Sequence, residues 1–163
     1  MAEEKDKEKE KDMSKEYEAL RKKYGLPELK ELDKEFCIGK LEDVPFLLRS
    51  VLGKITERLD IMFKNISEVI QPSENSLVNM YEAESFSDDE KKKIFELMKR
   101  MAYYYRELII RDVDYTDDSA AAAINQFYNE WKNMKKDVLK VLEKLRDSWK
   151  SEANSKLESG YFG

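Results

Sequence analysis

The stretch AAAAINQFYNEWKNMKKDVLKVLEKLRDSW, residues 120–149, decides the fold class of this chain. Its apolar residues recur at steps of three and four, a spacing that averages about 3.5 residues and keeps one face of a helix against a partner. The series comprises Ala120, Ile124, Phe127, Trp131, Met134, Val138, Val141, Leu145 and Trp149. We therefore predict one long helix that packs along this face.

Composition favours helices and narrows the class of function. The chain has 163 residues, of which 40% are charged and 41% hydrophobic, and its net charge is −5. Scarce glycine and proline are typical of helical proteins. The acidic balance argues against nucleic acid as a partner, because binding phosphates needs a basic surface. We expect no membrane association, since every apolar run is too short to span a bilayer. A single cysteine, Cys37, and a charged N-terminus without a signal peptide favour a cytoplasmic protein.

Proline and glycine mark the organisation of the chain. All three prolines lie in the first half, and residues 73–159 contain neither proline nor glycine. Residues 1–13 form a charged tail that we expect to be disordered, and residues 14–159 are predicted as a single helical-bundle domain. Short helices are expected over 14–24 and 27–36, and a long helix over 43–71 with Pro45 in its first turn.

The second half is predicted to contain two more long helices. Residues 72–86 have the polar composition of a connection, although apolar residues interrupt it. Ser87 and Glu90 have the spacing of a capping box, which marks the start of the next helix. A turn over 112–119 then precedes the final helix. The predicted fold is all-α, with three long antiparallel helices and one or two short N-terminal helices completing a bundle.

Candidate chemistry is limited by the absence of histidine. Histidine-dependent hydrolysis, the Glu-x-x-His di-iron motif and ordinary zinc sites are excluded, and the glycine-rich phosphate loops are missing. We therefore predict no catalytic residue, no cofactor and no metal ligand. The acidic turn 112–118 could hold a hard cation through Asp112, Asp114, Asp117 and Asp118. It lacks the glycine and closing glutamate of a calcium loop, so the favoured interpretation is a polar turn in which Thr116 or Asp117 caps the last helix.

Two hypotheses about function come from side chains outside the apolar stripes. Ile61, Tyr103, Ile110 and Leu139 are candidate interface residues, which favours a non-enzymatic helical interaction module that self-associates or binds a protein partner. The alternative is a small enzyme or binding protein for an anionic ligand, with Arg106, Arg111 and Tyr104 as contacts. Lysine-rich helix faces, such as residues 91–93, suggest nucleic-acid binding, but interspersed acids favour a solvated surface.

Three segments resemble small uncharacterised helical proteins from archaeal genomes. They are KKYGLPELKELDKEFCI at residues 22–38, IQP at residues 70–72 and NEWKNMKKDVLKVLEKL at residues 129–145. The shared features are positions in helices rather than chemical motifs. The resemblance therefore implies an all-helical fold and carries over no activity, cofactor or site residue.

Overall fold

In the computed structural model, residues 14–39 and 45–150 are described, and they form six helices without any strand. Helix α1 covers residues 14–24, and the helices that follow are α2 (Leu29–Phe36), α3 (Leu47–Ile70), α4 (Leu77–Glu84), α5 (Asp88–Val113) and α6 (Asp117–Ser148). The all-α prediction is confirmed. None of the helices in this part of the chain is long and apolar enough to cross a membrane. The predicted disordered tail, residues 1–13, lies outside the described residues.

Helices α1 and α2 each end at a residue in the left-handed backbone conformation. Gly25 has a φ of +66°, and its N–H donates to the Arg21 carbonyl at 2.8 Å, which ends α1 where the sequence predicts. Cys37 caps α2 with a φ of 53°, and its N–H donates to the Asp33 carbonyl at 2.8 Å. Glycine adopts this conformation freely, whereas a cysteine there carries a backbone strain. Helix α2 begins at Leu29 rather than at Pro27.

Helix α3 begins later than predicted. The Phe46 carbonyl accepts a hydrogen bond from the Ser50 N–H at 3.1 Å, so Phe46 flanks the first turn and Leu47 opens the helix. Pro45 therefore precedes the helix instead of lying in its first turn, which corrects the prediction. Residues 40–44, which include the predicted start at residue 43, lie outside the described residues. The helix ends at Ile70, just before Pro72, as expected from the missing N–H of proline.

The segment 72–86, predicted as a connection, contains helix α4. The Ser76 hydroxyl accepts a hydrogen bond from the Asn79 N–H at 3.2 Å and caps this helix. Ala83 is its buried residue, whereas Leu77 and Val78 are exposed. An eight-residue helix with its leading apolar side chains in solvent has no inward stripe, and the sequence pattern therefore missed it.

The capping box at the start of α5 is confirmed. The Ser87 N–H donates to the Glu90 carboxylate at 2.8 Å, and the Glu90 N–H donates to the Ser87 hydroxyl at 3.3 Å. The turn after α5 is shorter than the predicted 112–119, because α5 continues to Val113 and α6 starts at Asp117. The Thr116 hydroxyl accepts from the Ser119 N–H at 3.1 Å and caps α6, which is the favoured interpretation of this turn.

The described residues divide into two compact units, and α3, α5 and α6 contribute residues to both. The first unit comprises the chain up to Ile61 together with Tyr103–Lys132. Its core includes an aromatic group in which the Phe36 ring lies 5.5 Å from Phe127 and 5.6 Å from Trp131, measured between centroids. Polar contacts also join the short helices to α6, since the Asn125 amide donates to the Tyr24 carbonyl at 3.0 Å.

The second unit comprises Met62–Ala102 and the chain from Asn133 onward. Its buried side chains include Ile66, Val69, Ile94, Leu97, Met134, Val138 and Val141.

The apolar series of α6 is buried from Ala120 to Val141, as predicted, but Trp149 lies beyond the end of the helix and is exposed. The Trp149 ring stacks at 4.6 Å on Tyr81, and its indole N–H donates to Glu82 at 2.8 Å. The single-domain assignment for residues 14–159 stays a prediction.

Candidate interaction surface

The four candidate interface residues are exposed. Ile61, Tyr103 and Ile110 belong to the first unit, whereas Leu139 belongs to the second. Each of the four retains about half of its accessible surface. Large apolar side chains in solvent are common singly, and the informative question is which of them share a face.

Tyr103 and Ile110 share one face of α5 with a third residue, Val113. Seven residues separate the first two and three separate the last two, so all three lie within about 80° of one another around the helix. Their exposed fractions are 56%, 49% and 79%. We call these three residues the outer α5 surface. Val113 is not among the residues predicted from the sequence, because the sequence pattern assigned it to the turn over 112–119.

The opposite side of α5 carries a separate apolar stripe. In the first unit, Leu108 is buried on the side of the helix away from Tyr103. In the second unit, the same side of α5 carries three more buried residues, Ile94, Leu97 and Met101. Helix α5 therefore has one apolar face that contributes to the protein core and a second, the outer α5 surface, that lies in solvent.

Each of the three candidate contacts for an anionic ligand interacts with a different side chain of the protein. The Arg106 guanidinium lies 5.6 Å from the centroid of the Tyr105 ring, and Arg111 forms an ion pair with Glu107 at 3.3 Å. The Tyr104 ring packs at 5.7 Å against Phe127. Burial raises the pKa of the Tyr104 phenol, and the carboxylate of Glu130 adds to this effect.

The side chains of the acidic turn contact protein groups. The Asp112 carboxylate accepts a hydrogen bond from Arg49 Nε at 2.8 Å, and Arg49 also donates to the Asp112 carbonyl at 3.0 Å. The Asp117 carboxylate accepts from the Tyr115 hydroxyl. Within residues 14–39 and 45–150, no group of three or more His, Cys, Asp or Glu side chains is arranged to hold a metal ion.

An aromatic cluster next to this turn was missed by the sequence reasoning. The Phe46 ring meets the Tyr115 ring edge-on at 5.5 Å, and the Arg49 guanidinium lies 5.6 Å from the Tyr115 centroid. Phe46 is half-exposed. Desolvation by burial raises the pKa of Tyr115, and its hydrogen bond to Asp117 acts in the same direction. Tyr115 lies in the turn that follows α5, two residues after Val113.

Comparison with known proteins yields no relative. No protein-family description, curated protein or solved structure matches this chain.

Proposed function

We propose that this chain is a non-enzymatic helical interaction module, which associates with itself or with another protein through the outer α5 surface. The observation that carries the proposal is the second apolar face of α5, formed by Tyr103, Ile110 and Val113. A helix in a monomer needs one buried stripe, and a second stripe is typical of a contact with another chain. The lone cysteine supports a cytoplasmic location for such a module.

The residue types near this surface suit a protein interface. Aromatic residues and arginine are enriched where the binding energy of protein interfaces concentrates. Tyr103 lies within the surface and is exposed. Arg106, which falls between Tyr103 and Ile110 on the same face, offers a charge that an acidic group on the partner would complement.

We also propose that the three long helices run antiparallel, with α1 and α2 beside them. In the first unit, Arg49 near the start of α3 pairs with Asp112 near the end of α5. In the second unit, Arg100 of α5 pairs with Asp137 of α6, and Glu90 pairs further along with Lys144. Higher residue numbers on α5 thus pair with lower residue numbers on α6. This pattern supports antiparallel packing of these helices.

The proposal is tested by sedimentation velocity over a wide range of protein concentration, with and without the double substitution Tyr103→Ser, Ile110→Lys. We expect the wild-type chain to self-associate or to bind its partner, and the variant to lose this association while keeping its helical content. Leu77→Ser, Val78→Lys is the matched control, because it makes the same type of change at equally exposed apolar residues of α4.

The anionic-ligand hypothesis predicts the reverse pattern. Under that hypothesis, Arg106→Ala and Arg111→Ala abolish binding of a phosphorylated metabolite, and the double substitution at Tyr103 and Ile110 has no effect. A thermal-shift screen of phosphorylated metabolites separates the two hypotheses. A strictly monomeric protein, stabilised by one metabolite in a manner that depends on Arg106 and Arg111, would overturn the interaction proposal.

A further inference from the structure

A groove with an apolar floor lies between α5 and α6 in the second unit. Its volume is about 520 Å³, which falls within the range of small-molecule sites. Ile94 and Leu97 of α5 and Val141 of α6 line its floor and are almost fully buried. The floor is thus apolar, and a hydrocarbon or aromatic group would lie against it.

Two ion pairs join the helices at the two ends of this groove. Arg100 contacts Asp137 at 2.8 Å at one end, and Lys144 contacts Glu90 at the other. Glu90 and Arg100 are ten residues apart on α5, so the two bridges are separated by about 15 Å along the helix. The groove therefore accommodates a ligand of about this length or shorter.

The carboxylates that line the groove are already neutralised. Glu90 bonds to Lys144, and Asp137 bonds to Arg100. Glu96 accepts from Lys99 at 3.0 Å. The hydrogen bond from Lys144 is the largest cause that lowers the pKa of Glu90, to about 2, so this carboxylate stays ionised and paired at neutral pH.

Two lysines provide positive charge that these acids do not balance. Among the described residues, Lys93 has no ion pair. Lys140 lies 3.6 Å from Asp137, whose carboxylate is already bound more closely by Arg100, and its side chain is largely exposed. The groove thus combines an apolar floor with one ammonium group that has no ion pair, Lys93, and a second, Lys140, that shares the Asp137 carboxylate with Arg100.

We propose that this groove binds a small organic anion with an apolar body, such as a medium-chain or aryl carboxylate or sulfonate. Lys93 and Lys140 bind the acidic group, and the apolar body lies on Leu97 and Val141 between the two ion pairs. This site uses none of the residues of the outer α5 surface, and its occupancy is independent of the proposed interaction through Tyr103 and Ile110.

The test uses anilinonaphthalene sulfonate, an aromatic anion whose fluorescence rises in an apolar site. Titration of the full chain with this probe should show saturable binding that octanoate displaces and the neutral octanamide does not. The double substitution Lys93→Glu, Lys140→Glu should weaken the affinity about tenfold, because it replaces two attractive charges with repulsive ones. Both side chains are on the surface, so the variant is expected to fold.

The matched control is Lys92→Glu, Lys136→Glu, which changes the same helices and the net charge by the same amount. Neither residue lines the groove, and the affinity of this variant should stay within about twofold of the wild type. Amide shifts in a nitrogen-15 correlation spectrum should map the probe to residues around Leu97 and Val141. Equal affinity of the two variants, or no binding to the wild type, would overturn the proposal. Failure of the Tyr103 and Ile110 test would leave this result unchanged.

Discussion

The indole N–H of Trp131 donates a hydrogen bond to the Glu35 carboxylate, and the nitrogen and oxygen are 2.9 Å apart. Trp131 lies on α6 and Glu35 on α2, so this bond joins α2 to α6 within the first unit. The adjoining Phe36 ring packs against Trp131 at 5.6 Å. The indole therefore buries its apolar body while its polar group keeps a partner, a combination that makes a tryptophan at this position difficult to replace.

Replacing Trp131 with alanine should lower the free energy of unfolding by about 3–5 kcal/mol, the range for large aromatic truncations in a packed core. Urea denaturation followed by circular dichroism measures this change. Trp149→Ala is the control, since Trp149 is 53% exposed whereas Trp131 is 3% exposed. A loss below about 1 kcal/mol for Trp131→Ala would contradict its burial in the core.

Gly53→Ala should stabilise the protein by about 0.5–1 kcal/mol. Gly53 lies inside α3, and a Cβ added there meets no atom within 4 Å. Alanine therefore lowers the conformational entropy of the unfolded chain without straining the folded state. Gly25→Ala should instead destabilise, because Gly25 has a φ of +66°. Thermal unfolding of the two variants compares these opposite effects, and a lower melting temperature for Gly53→Ala would show that the glycine is needed for a bend.

Glu90→Gln should weaken the acid dependence of stability. The pKa of Glu90 is lowered to about 2, first by the hydrogen bond from Lys144 and then by the Ser87 N–H. A carboxylate whose pKa falls on folding stabilises the native state above its unfolded pKa of about 4.3. That contribution disappears as the pH falls toward about 2. Urea midpoints of wild type and variant should therefore differ at pH 7 and converge only as the pH falls below about 2. Glu96→Gln is the control, because Glu96 pairs with Lys99 of its own helix.

Tyr103→Ser with Ile110→Lys should leave the isolated fold intact, with each change altering stability by about 0.5 kcal/mol or less. Both side chains are exposed, so little apolar area is lost from the core. Leu108→Lys on the same helix should be strongly destabilising, since Leu108 is buried. Melting temperatures of the three proteins check this prediction, and unfolding of the double variant would mean that Tyr103 and Ile110 belong to the core.

The sequence predicts features that depend on neighbours close along the chain. The buried series of α6 follows from helical periodicity, and the box of Ser87 and Glu90 follows from the chemistry of four consecutive residues. The exposure of Tyr103 and Ile110 was predicted in the same way, because both lie off the inward stripe. Local pattern was sufficient in each of these cases.

Features that depend on distant residues were missed. Arg49 contacts Asp112 and Tyr115, which lie more than 60 residues further along, so neither the longer α5 nor the aromatic cluster could be inferred from the turn alone. Helix α4 was missed for a different reason. Its apolar residues Leu77 and Val78 are exposed, and the assumption that apolar residues point inward fails there.

The thiol that ends α2 offers a single attachment point for a spectroscopic label. Cys37 is the only cysteine of the chain, and it is exposed. It directly follows Phe36, whose ring contacts Trp131 in the first unit. A maleimide dye at this position would lie close enough to Trp131 to quench its emission, and the recovery of tryptophan fluorescence would report separation of α2 from α6. The docking of the short helix could thus be timed without introducing any new residue.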